Sequence, residues 1–206
     1  QVCPLFQVPY ANEKLLKLDW LHVVDLGVAA DFIGGLIWYL VTHKKVAGTT
    51  QKARVSTLHG HLMAFYDRQP PGEKTSRLSR LTRGVVKGKK AKTAKMRCGA
   101  GMLRHMVPWA LEIAEAFLDR RNGVDERAAV ESSIHAGMKS LSRCYEALSD
   151  NHPFAVDILN EHSIKFATQT AALQDALPAH FKLKPKMHMF LELRMGGGEP
   201  AKHWNY

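Results

Sequence analysis

The polar residues of one otherwise apolar stretch are the first candidates for chemistry. Asp19, His22 and Asp25 recur at intervals of three within the string that runs from Leu18 to Gly27. If this stretch is helical, a carboxylate and an imidazole lie on one side and can share a metal ion or a proton. Unpaired burial of these groups would be costly, so we expect pairing or ligation. The structural alternative is that Asp25 caps the next helix and His22 is a satisfied core residue.

A second candidate pair lies near the other end of the chain. His188 and Glu192 are four residues apart, which places them on one helix face. This spacing suits a shared metal ligand, and it equally suits an ordinary helix-surface pair. We therefore take Asp19, Asp25 and His188 as candidate metal ligands. A self-contained metal hydrolase would use Asp19, His22, His188 and Glu192, and it requires the two ends of the chain to meet.

Positive charge is concentrated in one segment of the chain. The protein has 29 Lys and Arg against 19 Asp and Glu, a net charge of +10. Residues 74–104, the basic segment, contain 11 basic and no acidic residues, which leaves 18 basic against 19 acidic residues elsewhere. No aromatic residue interrupts this segment, so sequence-independent phosphate contacts are favoured over base stacking. A solvated linker is the alternative. The predicted nucleic-acid-binding residues are Lys74, Arg77, Arg80, Arg83, Lys87, Lys89, Lys90, Lys92, Lys95 and Arg97.

The elements that must position these groups are helices. The apolar residues from Val130 to Leu148 recur at intervals of three and four, and Asp125 is a suitable N-cap for that helix. Pro108 suits the first turn of the helix before it. We predict a mainly α, irregular bundle of about six helices with little strand, with helices at about 28–43, 51–66, 108–121, 125–148, 153–176 and 186–194.

Composition indicates one globular domain. Apolar residues make up 46% and charged residues 23% of 206 residues. The three cysteines form no zinc or redox motif, which indicates a reduced intracellular protein. The longest apolar run, Phe32–Val41, is far shorter than the roughly 20 residues that cross a bilayer, so we expect a buried helix and no membrane association. We divide the domain into an extended or irregular entry, a helical pair, a basic linker or arm and a helical bundle, at 1–27, 28–67, 68–104 and 105–206.

Several short blocks resemble the cut-and-paste transposases of the CACTA type. The Asp-x-x-His element of that family matches Asp19 and His22, followed by a Leu-Gly step and an apolar helix. Later blocks that look similar are residues 95–97, 103–108, 184–188 and the glycine-rich turn before 204–206. The resemblance implies a DDE transposase or a transposon-derived protein, of which this chain would be a fragment that covers the helical insertion and the C-terminal flank.

The resemblance also implies a catalytic apparatus. Such transposases hold three carboxylates on an RNase H-like sheet and use two metal ions, usually Mg²⁺, to activate water and then a 3′ hydroxyl. It assigns Asp19 and His22 to a supporting role in the site, and Glu192 or Glu199 as the third carboxylate unless that residue lies past Tyr206. No strand with a first catalytic Asp is recognisable, so the catalytic sheet lies upstream of Gln1 or is lost. We expect that the isolated chain does not cleave DNA.

Three functions follow from these observations. The first is a transposase-derived nuclear protein whose basic segment binds the DNA backbone non-specifically. The second is a helical module that binds a protein partner, or a second copy of itself, and uses the basic segment as a flexible tether. The third is the metal hydrolase described above. Enzyme classes built on phosphate loops, dinucleotide fingerprints, His-Glu-x-x-His or Gly-x-Ser-x-Gly are disfavoured because those motifs are absent from the sequence.

Overall fold

The computed structural model describes residues 19–69, 76–88, 90–119, 125–148 and 155–195. Within these ranges the protein is mainly helical and has no β-sheet, which confirms the predicted fold class. A π-helical segment, Leu21–Ala29, precedes seven α-helices. These are α1 (Ala30–Thr42), α2 (Gln51–Asp67), α3 (Arg83–Val86), α4 (Ala100–Phe117), α5 (Glu126–Ala147), α6 (Val156–Ala176) and α7 (Pro185–Met195).

Helix α1 is the centre of the core. Every residue from Phe32 to Val41 is buried, as expected of a helix that is apolar all round. Together with the π-helical segment it forms a helical stretch of 22 residues, Leu21–Thr42, with a kink at Gly27, which by length and composition alone could cross a membrane. Because 89% of its most apolar stretch is buried inside the protein, this is the pattern of a core helix.

Two glycines in α1 allow other parts of the chain to approach its backbone closely. A β-carbon at Gly34 would lie 2.7 Å from the Cα of Lys95, and one at Gly35 would lie 2.8 Å from the carbonyl oxygen of His180. Both glycines are unfavourable in a helix interior. Their position is explained by packing, because the basic segment crosses one glycine and the turn before α7 crosses the other.

Helix α4 begins earlier than its sequence suggests. The prediction that Pro108 lies in the first turn is wrong, because α4 starts at Ala100 and Pro108 lies inside it. The apolar face explains the difference: Leu103, Met106 and Val107 are buried before the proline, and Trp109 and others continue that face after it. Pro108 itself is exposed. Because proline has no backbone N–H, one helical hydrogen bond is lost there, and the buried side chains before and after Pro108 stabilise the helix.

The remaining helices agree with the sequence. Asp125 caps α5 by accepting a hydrogen bond from the backbone N–H of Ala128 at 2.7 Å, as predicted. Helices α5 and α6 pack side by side and make the most extensive helix–helix contact of the described structure. Helix α7 packs against α6 and the π-helical segment. Lys74, Lys89 and Glu199 lie outside the described residues.

Candidate nucleic-acid interface

The described part of the basic segment is packed against the helical body. Its small number of apolar side chains point inward: Leu78, Leu81, Val86, Ala94 and Met96 are all buried. At roughly 25 cal/mol per Å² of buried apolar surface, five such side chains contribute several kcal/mol to holding the segment in place. The apolar residues, which are spaced irregularly between the cations, therefore act as the anchors of this segment.

Backbone hydrogen bonds close a loop within the segment. The N–H of Lys95 donates to the carbonyl of Val86, and the N–H of Arg97 donates to the carbonyl of Val85, both at 2.9 Å. The N–H of Met96 donates to the carbonyl of Ala30 at 2.9 Å, which ties the loop to the start of α1. Lys90 and Lys92, which lie between these bonds in the chain, are exposed on a loop that is closed at its base.

Five cations of the segment remain exposed and have no acidic partner within the described ranges. We call them the exposed cations. The guanidinium of Arg97 packs against Gly88, where a β-carbon would not fit, and this contact orients it without neutralising it. The segment therefore folds back on the body but keeps its positive charge outward. The exposed cations are Arg80, Arg83, Lys90, Lys92 and Arg97.

Trp38 holds two cations at one position of α1. The Arg83 Cζ lies 5.8 Å and the Lys87 Nζ 5.3 Å from the centre of the indole ring. A cation over an aromatic face is stabilised by about 0.5–1 kcal/mol at an exposed site. Because an indole carries no charge, this contact fixes both side chains and leaves their full charge available to a polyanion.

Two lysines outside the segment extend its positive charge. The ammonium of Lys184 donates to Asp31 at 2.6 Å, and Lys95 lies 3.9 Å from the same carboxylate. Burial lowers the pKa of Lys95, Asp31 raises it, and the nearby charges of Lys184 and Lys186 lower it further. Two cations thus share one carboxylate, and Lys186 adds a third positive charge nearby. The alternation of lysines at 182, 184 and 186 was the signal in the sequence that could have identified this extension.

His180 does not add to this charge. Burial lowers its pKa to about 4, and the neighbouring His43 and the Lys87 ammonium lower it as well. Its Nε2 lies 2.9 Å from the hydroxyl oxygen of Thr42, which gives the neutral ring a hydrogen-bond partner. At neutral pH the positive charge near Trp38 therefore comes from Arg83 and Lys87.

Arg77 and Arg104 lie apart from the exposed cations. The Arg77 Cζ lies 5.3 Å from the centre of the Tyr66 ring, and its side chain is half-buried against a cavity. Arg104 donates to Asp25 at 2.8 Å. These two residues are basic in the sequence but belong to the interior of the structure.

The three polar residues of the first candidate cluster separate. Asp19 caps the π-helical segment by accepting from the backbone N–H of His22 at 2.9 Å, and its carboxylate also contacts the His22 ring at 3.0 Å. His22 is exposed, whereas Asp25 is completely buried. Asp25 accepts hydrogen bonds from Tyr145 and Arg104. Asp25 is therefore not the helix cap of the structural alternative, and His22 is not a core residue.

Burial raises the pKa of Asp25 above its ordinary value of 3.8, against the opposing effect of its hydrogen bonds and the Arg104 charge. Burial and the Asp25 carboxylate both raise the pKa of Tyr145, which keeps that phenol protonated as a donor. The three side chains form a complete donor–acceptor set. Asp25 is thereby committed to an internal ion pair.

The second candidate pair is a helix-surface pair. His188 lies 2.9 Å from Glu192, and both side chains are largely exposed. The two ends of the described chain do meet, because the Lys186 ammonium donates to the carbonyl of His22 at 2.6 Å. Their candidate ligands nevertheless stay with local partners. No three His, Cys, Asp or Glu side chains gather into a metal-binding group among the residues described.

The proposed Mg²⁺ ligands do not fit a shared site. A magnesium ion requires converging oxygen ligands in near-octahedral geometry. Asp25 already binds a guanidinium and a phenol in the interior, while Asp19 lies at the start of a helix beside an exposed imidazole. His188 is paired with Glu192 on α7. Among the described residues, these three candidate ligands therefore do not converge on one site.

One buried carboxylate that the sequence did not single out is the most heavily bonded in the described structure. Glu131 accepts from the Tyr39 hydroxyl at 2.8 Å, the Asp119 backbone N–H at 2.6 Å, Lys45 at 2.7 Å and Arg127 at 3.1 Å. Burial raises its pKa, but these four donors together outweigh that effect and lower it below 4.5. The cluster joins α1, α4 and α5 and is structural.

Comparisons of the chain with models of protein families, with curated proteins and with solved structures found no match. The resemblance to CACTA-type transposases stays a prediction that rests on the short blocks quoted above. Function must therefore be argued from the charge and geometry of this chain itself.

Proposed function

We propose that this protein binds the phosphate backbone of duplex DNA, without sequence preference, through the exposed cations of its basic segment. The observation that carries the proposal is that five cations of one anchored segment point outward with no acidic partner in the described structure. A loop held by buried apolar side chains and backbone hydrogen bonds loses less conformational entropy on binding than a free tail would. Arg and Lys are the residues that proteins use for phosphate contacts.

Two further features support a sequence-independent mode. The exposed cations lie on loops and one short helix, and α3 has only four residues, so no long helix presents base-reading side chains to a groove. Lys184 and Lys186 add charge beside Lys95. A cationic surface of this kind gains its affinity from counterion release and reads no base edges.

We propose further that the protein derives from a transposase and acts in the nucleus, which the resemblance supports. The chain on its own is not expected to cut DNA, because Asp19, Asp25 and His188 are each paired with a different partner. Its role in this proposal is to hold DNA, and any strand chemistry belongs to groups outside the described site.

A helical protein-binding module is the second candidate. Val156, Ile158 and Ile164 of α6 are each more than 40% exposed, which is unusual for large apolar side chains and favours a protein contact there. The flexible-tether part of that hypothesis has less support, because the described part of the basic segment is anchored by buried side chains. The DNA-binding function uses the exposed cations of the basic segment, whereas the protein-binding function uses the exposed apolar residues of α6. Mutations in one surface or the other therefore distinguish the two functions.

A charge-matched pair of variants tests the proposal. In the first, Arg80, Lys90, Lys92 and Arg97 are all replaced by Gln. In the second, the same number of exposed cations on α2, α5 and α6 is replaced by Gln, at Lys52, Lys139, Arg143 and Lys165. Binding to a fluorescent random-sequence duplex is followed by anisotropy at fixed ionic strength, and folding is checked by circular dichroism.

The two variants have the same net charge and differ in where it is removed, although the control also breaks the surface pairs Arg143–Glu146 and Lys165–Glu161. We expect the basic-segment variant to lose at least about a hundredfold in affinity, at roughly 0.7–1 kcal/mol for each lost phosphate contact. The control variant should lose less than about fivefold. Equal losses in the two variants would show that net charge alone attracts DNA, and unchanged binding in the first would exclude the basic segment.

A further inference from the structure

A cavity of about 540 Å³ lies between the C-terminal part of α2, the middle of α4 and the C-terminal part of α5. Its size falls in the range of small-molecule pockets, which is about 300–1,000 Å³. It is too small for a nucleic-acid duplex, and it is separate from the exposed cations. Its lining combines apolar and aromatic side chains with polar and charged ones, so it can hold a ligand that has an apolar and a polar part.

One wall of the cavity is apolar. Phe65 comes from α2, and Val107, Pro108 and Leu111 come from successive turns of α4. Pro108 is the residue whose position inside α4 was unexpected, and here it adds a rigid apolar surface to the wall. A ligand that removes these groups from water needs an apolar body of similar extent.

Arg77 is a polar group of the cavity with an unused hydrogen-bond donor. Its guanidinium lies against the Tyr66 ring, and its Nη2 is buried with no hydrogen-bond partner among the described residues. A buried donor of a charged group left without an acceptor is costly. The structure therefore offers a cation whose missing acceptor a bound oxyanion can supply.

The other charges that line the cavity are already balanced within the protein. Arg104 is paired with Asp25, which also accepts from Tyr145. Glu146 is paired with Arg143 at 2.6 Å. The positive charge that remains for a ligand is therefore that of Arg77. A ligand with one anionic group matches this balance, whereas a neutral or cationic ligand would leave the charge of Arg77 without a counterion.

We propose that this cavity binds a small organic anion, with an apolar body against the α4 wall and a single oxyanion head group on Arg77. A guanidinium forms paired hydrogen bonds with either a carboxylate or a phosphate, so both head groups share the required chemistry. The site is independent of the proposed DNA contact, because Arg77 is half-buried beside Tyr66 and faces the cavity.

The probe is 8-anilinonaphthalene-1-sulfonate, whose fluorescence rises in an apolar site and which carries one anionic group. N-phenyl-1-naphthylamine is its neutral counterpart. Arg77→Met removes the charge and keeps the length of the side chain, and Arg80→Met is the matched exposed control. Leu111→Trp fills the cavity and keeps its charge. Circular dichroism and thermal unfolding establish that each variant is folded.

We expect one anionic dye to bind per chain, with affinity reduced at least about tenfold by Arg77→Met and unchanged by Arg80→Met. Binding of the neutral dye should be insensitive to Arg77→Met, and Leu111→Trp should weaken both dyes. Competition with 1-naphthoate and 1-naphthyl phosphate then distinguishes a carboxylate from a phosphate head group.

Three results would overturn the proposal. One is anionic-dye binding that Arg77→Met does not weaken in a folded variant. Another is binding of both dyes that Leu111→Trp leaves intact, because the cavity would then not be the site. The third is absence of dye binding to the wild-type protein at millimolar concentration.

Discussion

The buried carboxylate of Glu131 gives the sharpest test of how this fold is held together. We expect Glu131→Gln to destabilise the protein, because the amide keeps the size of the side chain but loses its charge. The carboxylate accepts four hydrogen bonds, and two of the donors, Lys45 and Arg127, are cations. The amide of Gln has one oxygen that can accept from these donors. Its NH₂ group faces the donors that the second carboxylate oxygen of Glu131 had accepted from, and it cannot accept from them.

The size of the effect follows from the exposure of the two cations. The Lys45 side chain is only 18% exposed, so loss of the anion leaves a largely desolvated ammonium, for which the cost is about 3–5 kcal/mol. Arg127 is 56% exposed and remains hydrated, so it adds little. The amide recovers part of the hydrogen bonding, which gives an expected loss of about 3 kcal/mol at neutral pH.

The pH dependence has a definite sign. The pKa of Glu131 is lowered in the folded state below its ordinary value of 4.5. As the pH falls through 4.5, the carboxyl of Glu131 takes up a proton in the unfolded chain before it does so in the folded protein. The stability that the Glu131 carboxylate provides is therefore lost on further acidification. The difference between wild type and Glu131→Gln should therefore be full above pH 4.5 and shrink below it.

Urea denaturation followed by circular dichroism measures the free energy of unfolding at each pH. Glu146→Gln on the same helix is the control, because Glu146 pairs with Arg143 on the surface and should change stability by less than about 1 kcal/mol. A loss at Glu131 no larger than that of the control would refute the argument. So would a difference between wild type and Glu131→Gln that stays constant as the solution is acidified.

Two other predictions concern packing and the second buried cluster. Gly34→Ala would place a β-carbon 2.7 Å from the Lys95 Cα and should cost about 1–3 kcal/mol, whereas Gly60→Ala enters open space on α2 and should stabilise by about 0.5–1 kcal/mol. Thermal unfolding should show opposite shifts, and shifts of the same sign would contradict the packing argument. Tyr145→Phe removes one of the donors to buried Asp25 and should cost about 1–3 kcal/mol by urea denaturation. No change in stability would mean that Arg104 alone satisfies the carboxylate.

The helices could be predicted because their signals are local. Spacings of three and four in α5 and the Asp125 cap depend on neighbours within one or two turns, and the structure confirms both. The start of α4 was missed because Pro108 was treated as a boundary. A proline on the exposed side of a helix is tolerated when the buried side is apolar before and after it, and this depends on tertiary packing.

The candidate sites show where sequence spacing fails. Asp19, His22 and Asp25 are evenly spaced, yet Asp25 is buried and paired with Arg104 and Tyr145 while His22 is exposed. The partners of Asp25 lie 79 and 120 residues away in the chain. No pattern in a single sequence reveals pairs this distant, and the same holds for Glu131 and Tyr39.

The charge of the sequence was enough to identify the basic segment, but it did not predict the conformation of that segment. Its apolar residues recur with neither helical nor strand periodicity, so the sequence left a linker, an arm and a contact surface as alternatives. The buried side chains of Leu81, Val86 and Met96 show that the described part is anchored. The addition of Lys184 and Lys186 depends on the contact of α7 with the π-helical segment, which is again long-range.

The salt dependence of duplex binding tests the central claim most directly. The affinity for a random-sequence duplex is measured by anisotropy between about 50 and 200 mM salt, and its logarithm is plotted against the logarithm of the salt concentration. If the five exposed cations each contact a phosphate, the slope should be about −4.5, which corresponds to a loss of roughly 500-fold over this range. The variant that replaces four of them should give a slope near −1. A wild-type slope of about −1 or shallower, or a slope that the variant leaves unchanged, would contradict phosphate binding by the basic segment.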